Sequence, residues 1–188
     1  MGRIVVGISG ASGVVYGIRA LELLRGLGGV ETHLVMSSAA VRTIAAETEL
    51  SASDVEKLAD VVHPHKDIGA SIASGSFRTD GMLVAPCSVK TLAGIAHGFT
   101  DDLLTRAADV HLKERRRVVL LFRETPLHAG HIDLMAQATR NGAILMPPVP
   151  AFYAGVRSLA ESVTQSVGRA LDLLGIDAGV VKRWQGQG

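Results

Sequence analysis

The feature that most constrains this chain is the alternation of short apolar runs with helix-patterned segments from Arg3 to Gly175. "RIVVGIS" (3–9), "ETHLVMS" (31–37), "GMLVAP" (81–86), "RRVVLLF" (116–122) and "AILMPP" (143–148) read as buried strands. Helical spacing fills the intervals: "VVYGIRALELLRGL" (14–27), "SAAVRTIAAETEL" (38–50), "SVKTLAGIAHG" (88–98), "DDLLTRAADVHLKE" (101–114), "HAGHIDLMAQATRNG" (128–142) and "VRSLAESVTQSVGRALDLLG" (156–175). Such alternation predicts an α/β fold with a doubly wound, mainly parallel open sheet. At 188 residues the chain fits one domain, 1–188, with a polar tail from about 176. "SASDVEKLAD" (51–60) has a helix N-cap and first turn, and the Gly/Ser-rich 61–80 reads as a long loop of the kind that lines a site.

Charge and cysteine content narrow the function classes. Nineteen basic against eighteen acidic side chains leave +1, a balance without the field that nucleic acid or an anionic membrane would need. The single cysteine, Cys87, excludes an internal disulfide. "MGRIVVGISG" enters strand-like sequence without a leader or spanning segment, so the expected compartment is the cytoplasm.

Open parallel sheets bind ligands beyond the carboxyl ends of their strands, so the residues at those ends matter most. The first strand ends in Gly7-Ile8-Ser9-Gly10-Ala11-Ser12-Gly13, which lacks G-x-G-x-x-G and reads either as an anion-facing turn before a helix or as a tight connection. The third ends at "APCSVKT", where Ser88 and Thr91 fit an N-cap and first helical turn. No P-loop is present, so two such cups suit a ligand with one phosphate rather than a triphosphate. Cys87 reads as strand-end packing, with a thiol activated by nearby Lys90 as the alternative.

Arg123 and Glu124 emerge together from the fourth strand, either as a surface ion pair or as an anion clamp beside a proton carrier. "PPVPAFY" places Phe152 and Tyr153 after the fifth. Basic residues gather in "RAADVHLKERRR", where Arg106 and Lys113, seven apart, share a helix face; a solvated helix end is the alternative. The seven histidines form no H-x-x-x-H, and Asp101-Asp102 has no second acidic pair, so no metal is expected.

"GISGASG", "ASIASGSF", "APCSVKTLAGIAHG", "RAADVHLKERR", "RETPL", "PPVPAFY" and "RWQG", in this order, resemble the UbiX/Pad-type flavin prenyltransferases, once described as small aromatic acid decarboxylase subunits. The resemblance implies a Rossmann-like flavoprotein fold and a homo-oligomer, typically a dodecamer. The implied enzyme joins a dimethylallyl group from dimethylallyl phosphate to N5 and C6 of reduced FMN. The product, prenylated FMN, serves partner UbiD-type decarboxylases. By the same resemblance FMN is held by Gly10, Ala11, Ser12, Ser37, Ser88, Val89, Lys90, Thr91 and Arg123. The substrate phosphate falls to Tyr153 and Arg169, with Arg106 and Lys113 near it across a subunit boundary. Glu47 and Glu124 match the catalytic carboxylates, Ser12 orients a proton, Lys113 stabilises the leaving group and Trp184 walls the allylic pocket.

Two departures from the family pattern stand out. Phe122 replaces a proline or small residue before Arg-Glu, and Ala154-Gly155 follows Tyr153 where a polar residue and proline are common. They bear on how Arg123 is presented and on the loop that holds Tyr153. Two other readings remain at this level: a flavin-dependent cysteine decarboxylase, whose Asn-rich turn and Met-rich loop are missing, and a non-catalytic FMN-binding accessory subunit of an aromatic acid decarboxylase. Keeping Glu47, Lys113, Tyr153 and Arg169 together favours catalysis, since a carrier needs no substrate-phosphate set.

Overall fold

The computed structural model describes residues 2–186; Met1, Gln187 and Gly188, at the ends of the expected domain and tail, lie outside the described residues. Six strands, β1 (Gly2–Ile8), β2 (Val30–Met36), β3 (Val61–His63), β4 (Gly81–Cys87), β5 (Arg117–Phe122) and β6 (Ile144–Leu145), form one parallel sheet in the order β3-β2-β1-β4-β5-β6. The apolar runs form its middle, where β1 and β4 are covered on both faces and a continuous Val/Ile/Leu run is stable.

Seven helices wrap the sheet: α1 (Val15–Leu27), α2 (Ser38–Glu47), α3 (Ala52–Glu56), α4 (Val89–His97), α5 (Leu103–Lys113), α6 (Ala129–Arg140) and α7 (Leu159–Leu173). Leu21, Ile44, Val55 and Val167 place α1, α2, α3 and α7 in the core on one face. Leu92, Leu104 and Ala138 place α4, α5 and α6 in the core on the other. The chain winds outward from β1 through β2 to β3, then crosses back to β4 on the other side of β1, so the crevice of an open sheet lies between the ends of β1 and β4.

Two stretches differ from expectation. The 61–80 passage contains the edge strand β3 and a short 3-10 turn at Ser71–Ala73. The last strand is Ile144–Leu145 rather than 143–148, because the prolines at 147 and 148 have no amides to extend the ladder. The start of 51–60 is a helix, as expected: Ser51 and Asp54 form a reciprocal capping box at α3.

Candidate active site

Buried Ser9, 1% exposed, joins the two strand ends that border the crevice. Its amide and hydroxyl donate to the Pro86 carbonyl at 3.2 and 2.7 Å, and its Oγ accepts the Ser88 amide at 2.8 Å. Pro86 cannot donate to the ladder, and the β4–β5 register shifts between Val84 and Cys87. Ser9 thereby fixes the "GASG" and "CSVKT" turns to each other.

One face of α2 lines the first turn. Ala39, Thr43 and Glu47 recur every four residues, so they stack on one side of the helix. A Cβ on Gly10 would sit 2.3 Å from the Ala39 methyl, so only glycine lets the turn approach this closely. Thr43 Oγ1 reaches the Gly10 carbonyl at 3.4 Å, and Glu47 Oε2 accepts the Gly13 and Val14 amides at 2.8 and 3.3 Å. Burial disfavours the Glu47 charge, but the Ser12 hydroxyl, the two amides and nearby Arg123 outweigh it and hold its pKa below the usual value.

The second cup is a helix start. Ser88 caps α4 through the Thr91 amide at 3.3 Å and donates to Thr91 Oγ1 at 3.1 Å. The first amides of α4, those of Val89 and Lys90, have no intrahelical acceptor. The Lys90 ammonium is engaged by Asp102 at 2.7 Å and Asp101 at 3.2 Å, leaving its amide as the group it offers the cup. Ser37 caps α2 at 3.1 Å from the Ala40 amide, and its own amide donates to Ile8. Cys87 is fully buried, and burial alone pushes its thiol far up, so it packs beneath the cup and does not react there.

A cavity of about 300 Å³ opens at the end of β5, lined by Tyr16, Phe122, Arg123, Glu124, Thr125 and the 147–149 segment. The Arg123 amide donates to the Cys87 carbonyl at 3.1 Å. Among the described residues no carboxylate pairs with its guanidinium. Phe122 is 2% exposed, so the residue that departs from the family pattern is core beneath Arg123. Glu124 is exposed and accepts the Thr125 amide at 3.0 Å.

Residues 1–151 match the Flavoprotein family model. The chain is 57% identical over 188 residues to flavin prenyltransferase UbiX of Escherichia coli K12, covering 99% of this chain and 100% of that one. It is 59% identical over 184 residues to flavin prenyltransferase UbiX of Thauera aromatica, covering 98% and 94%. The chain belongs to the UbiX flavin prenyltransferase family. The crystal structure of AnUbiX in complex with FMN and dimethylallyl pyrophosphate superposes with a TM-score of 0.96 at 54% identity, over 100% of this chain and 99% of that one. A dodecameric FMN-dependent UbiX-like protein from Escherichia coli O157:H7 gives 0.95 at 49%, covering 98% and 100%.

The residues expected around the substrate phosphate are not gathered by one copy of this UbiX-family chain. Helices of a parallel sheet run opposite to the strands, so their last turns lie at the end away from the crevice. Lys113 ends α5 and pairs with Glu114; Arg169 lies near the end of α7, where the Leu173 carbonyl meets Arg117 at the start of β5. α5 and α7 cover opposite faces. Arg106 pairs with Asp109 at 2.9 Å, and Asp172 holds Arg183 and Arg169, which together lower its pKa against its burial. Tyr153 and Trp184 do meet, edge to face at 5.9 Å, because the tail folds back along α7 through Gln165 and Lys182.

Four contributors escaped the sequence reading: Ser9, Tyr16, Thr43 and Asp102. The four-residue spacing of Ala39, Thr43 and Glu47 was visible and signals the helix face on the turn. For Ser9, a hydroxyl inside an apolar strand end was the available signal. Among the described residues no helix is long and apolar enough to cross a membrane.

Proposed function

We propose that this chain transfers a dimethylallyl group from dimethylallyl phosphate to N5 and C6 of reduced FMN, without a metal, making prenylated FMN for UbiD-type decarboxylases. The observation that carries the reading is the Glu47 carboxylate, ionised and clamped on the Gly13 and Val14 amides beside Ser12, at the crevice between β1 and β4. Identity above 50% to enzymes named as flavin prenyltransferases favours catalysis over the accessory-subunit alternative.

The residues present fit FMN. The starts of α2 and α4, capped by the Ser37 and Ser88 hydroxyls, present first-turn amides beside the crevice, matched to one phosphate and a polar ring edge. When bound, reduced FMN supplies the nucleophilic ring atoms. Arg123, with no carboxylate partner among the described residues, offers a planar fork to an anionic or carbonyl-rich ligand. Ser12, whose hydroxyl helps hold the Glu47 pKa down, orients a proton at the crevice, and exposed Glu124 takes up the proton that ring closure releases. Arg106, Lys113, Arg169 and Tyr153 supply positive charge and donors where the phosphate departs. Lys113 and Arg169 act there from neighbouring copies, in a dodecamer like that of the Escherichia coli O157:H7 relative.

The test follows phosphate release. With reduced FMN, dimethylallyl phosphate and excess EDTA, inorganic phosphate is expected to appear in step with loss of reduced FMN. No phosphate release, or release abolished by EDTA, overturns the reading.

A further inference from the structure

We propose that Tyr16 is a positioning residue for this reaction: its ring holds the Arg123 side chain over Gly13, so that the guanidinium faces the cavity at the end of β5. The inference rests on the reading of Arg123 as a flavin-holding residue and adds a group that acts through it.

Local geometry explains why residue 16 can do this. Helical side chains lean toward the N-terminus and cover the preceding turn, so the first-turn Tyr16 falls back over Gly13, three residues earlier. Its amide donates to the Gly13 carbonyl at 3.0 Å, fixing the spacing. Gly13 has φ of +99°, and a Cβ there would lie 3.1 Å from two ring carbons of Tyr16 and 3.2 Å from Arg123 Cδ. The bare glycine is therefore a floor that both the ring edge and the arginine stem approach.

Charge and burial agree with that placement. Burial raises the Tyr16 pKa and the nearby Arg123 charge opposes it, so the phenol stays neutral beside the cation. With no carboxylate to tie it among the described residues, Arg123 depends on packing for its direction. Long cationic stems pack on apolar surface while the head stays free, and the Tyr16 ring supplies that surface. Phe122 and the 147–149 segment line the same cavity.

The experiment is a double-mutant cycle on the full chain: wild type, Tyr16→Leu, Arg123→Ala and the pair, each titrated with FMN and assayed for prenylation. Tyr16→Leu is expected to weaken FMN binding about tenfold in the wild-type background and to have no further effect in the Arg123→Ala background. Tyr16→Phe restores the affinity, because the ring and not the hydroxyl is used. Additive effects overturn the inference, as does a Tyr16→Leu protein that binds FMN normally. If Tyr16→Leu melts well below wild type, the same cycle is run with Tyr16→Met, read by the same two outcomes. Failure of the wild-type chain to bind FMN, or an Arg123→Ala protein that binds it normally, overturns the underlying reading and this inference with it.

Discussion

Glu47 Oε2 accepts the Gly13 amide at 2.8 Å, which sets a carboxylate of α2 on the turn that leads from β1 into α1. The bond neutralises orphan donors at a helix start and keeps the carboxylate ionised beside Ser12. Replacing Glu47 by Gln keeps the shape and removes the charge. The prenylation rate is expected to fall by about 10²- to 10⁴-fold, the usual share of a positioned acid or base, with FMN affinity much less affected. Because the folded pKa lies below the unfolded one, the stability Glu47 contributes is present above the unfolded value and is lost as pH falls through the folded one. Rate and FMN titration on the same sample check both halves.

Ser9 is a structural counterpart. A Ser9→Ala change leaves the Ser88 amide without its acceptor and takes the hydroxyl from the Pro86 carbonyl. Loss of buried partners of this kind costs about 1–3 kcal/mol. Denaturant unfolding should show that loss, and FMN affinity should fall with it because both cups meet at this side chain. Unchanged stability would contradict the joining role.

His111 supplies the clearest pH dependence. It is 1% exposed, and its Nε2 and Nδ1 meet Thr79 Oγ1 and the Ala107 carbonyl, both at 2.7 Å. Burial, first of all, lowers its pKa from 6.5 to about 4. The unfolded chain therefore binds the proton first. Stability is complete above about pH 6.5 and declines by about 3 kcal/mol as pH falls to 4. Unfolding free energies at pH 7 and 4.5 check the slope, which a His111→Gln variant should flatten.

Lys113 and Arg169 predict sharing between copies. Each lies toward the end of its helix, and under the proposed function a working site takes them from neighbouring copies. Glu47→Gln and Lys113→Ala proteins, each strongly impaired alone, should regain activity when co-assembled, because some sites then receive both native residues. Mixed oligomers as impaired as the parents would contradict this arrangement.

Much of the fold was legible because each central strand is an apolar run, and β1, β2, β4 and β5 fall within a residue or so of the expected spans. β3 was not, since its three residues, Val61–His63, just before Pro64, are too few to show a run or an alternation. At the site, small residues and hydroxyls at strand ends marked both cups. Their joining by Ser9 was hidden because it is a contact between residues 77 and 79 apart. The distance of Lys113 and Arg169 from the crevice was hidden for another reason: spacing assigns a helix face but not which end of the sheet that helix reaches.

The most direct test of the central claim is the mass of the flavin recovered after anaerobic incubation of the protein with reduced FMN and dimethylallyl phosphate. A flavin heavier by one five-carbon unit is the predicted result; FMN of unchanged mass, bound tightly by a folded protein, would contradict it.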